Sequence, residues 1–113
     1  MHEYGITKSV VAQVAEKLPG ATVTHVHLEI GSLSGVSADS VRFYFGPATE
    51  GTGLAGATLE ITEVDTRCRC RSCGTEFGPD GPVPLCACGS PDADVLSGGG
   101  MRILAVEVAP APA

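Results

Sequence analysis

All five cysteines of the chain fall between positions 68 and 88, and no other feature restricts the possible folds so strongly. Cys70-Arg71-Ser72-Cys73 is a CxxC pair and Cys86-Ala87-Cys88 a CxC pair, separated by twelve turn-rich residues from Gly74 to Leu85. The only large apolar residues of this stretch are Phe77, Val83 and Leu85, too few to hold it together as a core. Zinc takes four thiolates at about 2.3 Å in a closed tetrahedron with no position left for water or substrate, which makes such sites structural. Ligation of that kind supplies the folding free energy that a core-poor segment lacks. The expected zinc set is therefore Cys70, Cys73, Cys86 and Cys88, with Cys68 a free thiol or an alternative ligand. One departure stands out: a zinc ribbon usually repeats CxxC, whereas the second pair here is CxC.

The odd number of cysteines and their close pairing favour a metal over a disulfide framework. A thioredoxin-like redox role is the weaker reading, because that motif belongs at a strand-to-helix junction and the surroundings here are rich in proline and glycine. Thirteen acidic against seven basic residues give a net charge of −6, which repels a phosphate backbone, so nucleic acid is excluded as a partner. Arg67, Arg69 and Arg71 form a local basic stripe, read as a protein contact or a solvated edge. The 113 residues contain no run near the roughly 20 apolar positions of a membrane span, and the first residues show neither a basic nor an apolar leader segment. A soluble, cytoplasmic protein is the expectation.

Outside the cysteine segment the hydrophobic periodicity is regular. Ile6, Val10, Val11, Val14 and Leu18 share a helical face that ends at Pro19-Gly20. From Thr22 to Ile30 the pattern alternates, with Val26, Leu28 and Ile30 on the core side and His25, His27 and Glu29 on the other. The three polar residues could form a metal site, but a solvated sheet face is the plainer reading. Ser37 is placed as an N-cap for a second helix carrying Val41, Phe45 and Ala48, with Val36 and Val41 as a hydrophobic staple. After Gly51, Gly53 and Gly56, residues 57–64 read as a second strand, and Met101 to Val108 as a third. Four prolines between 67 and 100 leave little room there for a helix or a long strand, and the tail from Ala109 is expected to fray. The fold class is α+β: a three-stranded sheet with two helices, and a zinc-ribbon-like subdomain inserted before the last strand.

At the other end of the chain Met1, His2 and Glu3 place an α-amine, an imidazole and a carboxylate within three residues. An amine, a deprotonated amide nitrogen and an imidazole can form fused chelate rings, and a nitrogen-rich, near-planar set suits Ni(II) or Cu(II) better than zinc. No phosphate loop, nucleophile elbow or catalytic triad pattern is visible, so no enzymatic activity is expected.

Met1-His2-Glu3-Tyr4-Gly5-Ile6 opening into a helix, Val26-His27-Leu28-Glu29-Ile30-Gly31, Ala57 to Glu63, Cys88-Gly89-Ser90 and Met101-Arg102-Ile103-Leu104 together resemble the HypA/HybF family along essentially the whole chain. The resemblance implies a nickel metallochaperone that serves [NiFe]-hydrogenase maturation, with a HypB-type nickel GTPase and the hydrogenase large subunit as partners. It makes His2 the principal ligand of a transient Ni(II), with Met1 and Glu3 contributing, and Cys70, Cys73, Cys86 and Cys88 the ligands of a structural Zn(II). The corresponding division is a nickel-binding α/β domain at 1–66 and 101–113, and a zinc-binding subdomain with a glycine hinge at 67–100. In the family the second cysteine pair is normally CxxC, which puts the local geometry of Cys86 and Cys88 in question. The alternative is a zinc-ribbon interaction module without nickel transfer.

Overall fold

A computed structural model describes residues 2–110 of the chain. The elements in order are α1 (His2–Lys17), β1 (Val23–Gly31), a 3-10 turn at Ser32–Ser34, α2 (Ala38–Thr49), β2 (Thr58–Val64), β3 (Arg67–Cys70), β4 (Glu76–Phe77), β5 (Ala93–Ser97) and β6 (Met101–Val108). The strands form two three-stranded sheets, ordered β2-β1-β6 and β4-β3-β5. The expected α+β class, with two helices and a three-stranded sheet, is observed.

The chain divides into two compact units. Among the described residues, the first comprises 2–28, 37–61 and 103–110; the second comprises 29–36 and 62–102. In the first unit α1 and α2 pack on each other, and Val10, Val11 and Val14 are buried as the helical spacing requires. Leu18, expected on the same face, lies one residue past the helix and is exposed, although its N–H still bonds to Val14 O at 3.1 Å. Ser37 caps α2 by accepting the Ser40 N–H at 3.2 Å, and Val41 and Phe45 are buried on the face below it. Val26 and Leu28 are fully enclosed, each such side chain contributing about 1.5–3 kcal/mol. Ala109 is tied down rather than frayed, its N–H bonding to Thr22 O at 2.8 Å; residues 111–113 lie outside the described set.

The second unit has few large apolar side chains and is organised around hydrogen bonds. Thr66 is completely buried. Its hydroxyl donates to Gly98 O at 2.6 Å and accepts the Leu33 N–H at 2.9 Å, while its own N–H donates to Ser32 Oγ at 3.0 Å. One side chain thus satisfies backbone groups from two loops that the sequence separates by more than sixty residues, which explains why a threonine survives where a core would otherwise be apolar. Both Gly98 and Gly100 have engaged carbonyls, the latter accepting the Gly31 N–H at 2.9 Å. No long strand occurs between 67 and 100, as the prolines demand, but three short ones do.

Replacing Thr66 with valine keeps the side chain's shape and strands the partly buried Gly98 carbonyl and Leu33 N–H. The Thr66→Val protein is expected to lose about 2–3 kcal/mol; urea unfolding of the metal-loaded protein measures it, and a loss under about 0.5 kcal/mol would remove Thr66 from its central place.

Candidate metal centre

Strand β3 is the middle strand of the second sheet, paired antiparallel with β4 through Cys68 with Phe77 and Arg69 with Glu76, and with β5 through Cys68 with Val95 and Cys70 with Ala93. Both cysteines of β3 are buried. Their fates differ. Cys70 stands at the end of the strand, where the chain turns back on itself, and its thiol meets those of Cys73, Cys86 and Cys88. All four sulphurs lie within 4.8 Å of one another, and Cys68 is not among them. Cys68, with no exposed surface, is a core residue of the sheet and a poor redox thiol.

The two cysteine pairs are presented by turns of the same design. In the first, Cys70 N–H donates to Thr75 O at 2.9 Å and Cys70 O accepts the Gly74 N–H at 2.9 Å. In the second, Cys86 N–H donates to Ser90 O at 3.0 Å and Cys86 O accepts the Gly89 N–H at 2.8 Å. Each bond of the second turn closes one residue earlier, so CxC makes the same two-bond knuckle with one residue fewer. Gly74 and Gly89 follow the second cysteine of their pairs at φ of 77° and 93°, a left-handed conformation that glycine adopts without strain. The anomaly of the CxC spacing is thereby resolved: both its sulphurs reach the cluster.

Contacts within the cluster run between the pairs, Cys70 Sγ to Cys88 Sγ and Cys73 Sγ to Cys86 Sγ, both 3.6 Å. A tetrahedron with metal–sulphur bonds of 2.3 Å has edges of about 3.8 Å, so the sulphurs stand close to the positions a single zinc-sized ion requires. Their electrostatics fit as well. Cys73 N–H, 3.5 Å away, pulls the Cys70 thiol below its ordinary pKa. The Thr75 hydroxyl, 3.3 Å from Cys73 Sγ, and then the Thr75 N–H bring Cys73 down to about 6. At Cys86 the Cys88 N–H favours the thiolate, but burial and the three neighbouring sulphurs outweigh it and push the thiol up to about 12. Four sulphurs this close cannot all ionise against their mutual repulsion, and a dication is the group that would let them.

Arg71, between the cysteines of the first pair, is anchored outside the cluster. Its Nε donates to Asp94 Oδ1 at 2.8 Å, its Nη1 lies 3.3 Å from Asp92 Oδ1, and its backbone N–H bonds to Asp92 O. Arg69 pairs with Glu76 at 3.3 Å. Two arginines of the basic stripe are therefore paired within the subdomain while their side chains stay more than half exposed, as on a solvated edge.

At the start of α1, His2 is two-thirds exposed while Glu3 is nearly enclosed, with His2 Nε2 3.8 Å from Glu3 Oε2. The same Glu3 oxygen accepts the Ser37 N–H at 3.3 Å. Met1, the third residue of the expected nickel set, lies outside the described residues. Glu29, grouped with His25 and His27 by strand periodicity, is instead held by Arg102 at 2.7 Å.

The family described as "Hydrogenase/urease nickel incorporation, metallochaperone, hypA" matches residues 1–108. The hydrogenase maturation factor HypA of Nostoc punctiforme is 47% identical over 108 residues, covering 96% of both chains. That of Geotalea uraniireducens is 45% identical over 109 residues, covering 96% of this chain and 99% of its own. The solution structure of the Ni metallochaperone HypA from Helicobacter pylori superposes with a TM-score of 0.69 over 96% of this chain and 97% of that one; at 24% identity it speaks to the fold.

Removing any one of Cys70, Cys73, Cys86 or Cys88 by serine substitution is expected to abolish stoichiometric zinc and unfold the second unit, whereas Cys68→Ala keeps one zinc per chain. Elemental analysis after dialysis, with far-UV circular dichroism, decides between them; zinc lost from Cys68→Ala as well would place Cys68 in the shell.

Proposed function

The chain belongs to the HypA family of nickel-incorporation metallochaperones, and from that premise we propose that it binds Ni(II) at Met1, His2 and Glu3 and passes it on during [NiFe]-hydrogenase maturation. The observation that carries the site is the position of His2: exposed, first in α1, with the Glu3 carboxylate beside it. The first N–H groups of a helix have no intrahelical acceptor, so the His2 amide nitrogen can ligate a metal without breaking a helical bond. An amine, an amide nitrogen and an imidazole make the nitrogen-rich set that Ni(II) prefers. Glu3 adds a carboxylate whose place is set by the Ser37 N–H. A terminal, solvent-facing site also lets a recipient's ligands displace the protein's one by one, which a cargo ion needs and a structural ion does not.

Within this reading the Cys70, Cys73, Cys86 and Cys88 thiolates hold zinc, whose contribution is to crosslink a segment that has little core of its own. The nickel-binding part is residues 1–66 and 101–113, and the zinc part with its glycine hinge is residues 67–100. A HypB-type GTPase and the hydrogenase large subunit are the proposed partners, in the cytoplasm. Among the described residues no helix is long and apolar enough to cross a membrane.

Calorimetric titration of Ni(II) into zinc-loaded protein with a native terminus tests the site, alongside His2→Ala and a form extended before Met1. Both altered forms are expected to bind nickel at least tenfold more weakly while keeping their zinc. Equal affinity in all three would move nickel elsewhere and favour a zinc-ribbon interaction module.

A further inference from the structure

Strand β1 carries a second set of metal-ligating groups that the terminal site does not use. His25 and His27 lie two residues apart and so project from the same face of the strand. Folding brings a carboxylate to them from the neighbouring strand β2: Glu60 Oε2 is 3.2 Å from His27 Nδ1 and 3.8 Å from His25 Nε2. Both imidazoles are three-quarters covered, while the Glu60 side chain is more than half exposed. All three belong to the first compact unit, away from the cysteines of the second.

We propose that His25, His27 and Glu60 form a cross-strand site for a divalent first-row transition ion, with Ni(II) as its cargo. Two imidazoles and one carboxylate are the donors such ions take when no thiolate competes. Ligands bound at about 2.1 Å stand roughly 3.0–3.4 Å from their neighbours in octahedral or tetrahedral shells; the Glu60 to His27 separation already falls in that range, and His25, 3.8 Å from the same oxygen, has to turn its ring to enter it. The imidazoles flank the carboxylate oxygen, so closing the shell means turning the two rings toward each other. A partly exposed carboxylate leaves the remaining positions to water, which makes the site open and exchangeable, unlike the closed cysteine cluster. Because it draws on β1 and β2 together, an ion there would also clamp the two strands. The inference does not depend on nickel at the terminus, since no group is shared between the two sites.

The test uses the zinc-loaded full chain carrying His2→Ala, so that terminal chelation is weakened independently. Titration with Ni(II) is expected to bind one equivalent, broaden the His25 and His27 imidazole proton resonances selectively through paramagnetic relaxation, and raise the thermal midpoint. His25→Gln with His27→Gln should abolish all three effects, and Glu60→Gln should weaken binding about tenfold; circular dichroism checks that each variant is folded. No bound equivalent in the parent, broadening that spares both histidines, or affinity unchanged by the histidine or the Glu60 substitutions would each overturn the site.

Discussion

Four sulphurs within 4.8 Å of one another set the terms on which the second unit exists. As thiols they pack poorly, and as thiolates they repel; only a cation among them turns the arrangement from a liability into a crosslink. Everything near the cluster is arranged to present lone pairs inward. The Cys73 N–H points at the Cys70 sulphur, the Thr75 hydroxyl lies beside that of Cys73, glycines at positive φ reverse the chain after each pair, and Arg71 is drawn outward by Asp92 and Asp94, so its charge does not occupy the place a metal would take. The sheet β4-β3-β5 has strands of two, four and five residues, below what a sheet sustains unaided. Its stability therefore follows from ligation and from the saturated hydroxyl of Thr66 more than from apolar burial.

The first unit rests on different physics. Its helices and strands bury Val10, Val11, Val14, Val26, Leu28, Val41 and Phe45 around an ordinary apolar core, and that core needs no ion. An element that folds without metal can carry metal-binding groups on its surface and release the ion without coming apart. For a transient site of the kind proposed, separation from the structural one has a thermodynamic reason: were the cargo also the crosslink, delivery would cost the carrier its fold.

Local patterns in the chain disclosed most of this, and the failures have a common cause. The helix spacing at Val10, Val11 and Val14, the Ser37 cap and the alternation at Val26 and Leu28 are written over a few consecutive residues, and each was legible. So were the four clustering cysteines, because metal spacing is itself a short-range signal. Contacts between distant segments were not. Thr66 looks like an unremarkable strand-end residue until Ser32, Leu33 and Gly98 converge on it. Glu29 belongs with the histidines by periodicity, yet Arg102 claims it and Glu60 takes its place. The pairing of Arg69 and Arg71 is hidden for the same reason, their acidic partners coming from β4, from β5 and from the residue before β5.

The CxC pair shows where a sequence departure ends and a structural one begins. Spacing matters to a metal only through where the sulphurs arrive, and the second turn closes both of its backbone bonds one residue earlier and still brings Cys86 and Cys88 into the cluster with Cys70 and Cys73. A deletion inside a knuckle is tolerable when the glycine that reverses the chain moves with it, as Gly89 does. A deletion that left this glycine behind would place a side chain with a Cβ at φ near 90° and pull one sulphur out of the shell. What the two pairs of this site share is the hydrogen-bonded turn together with its left-handed glycine, and the residue count between the cysteines differs by one.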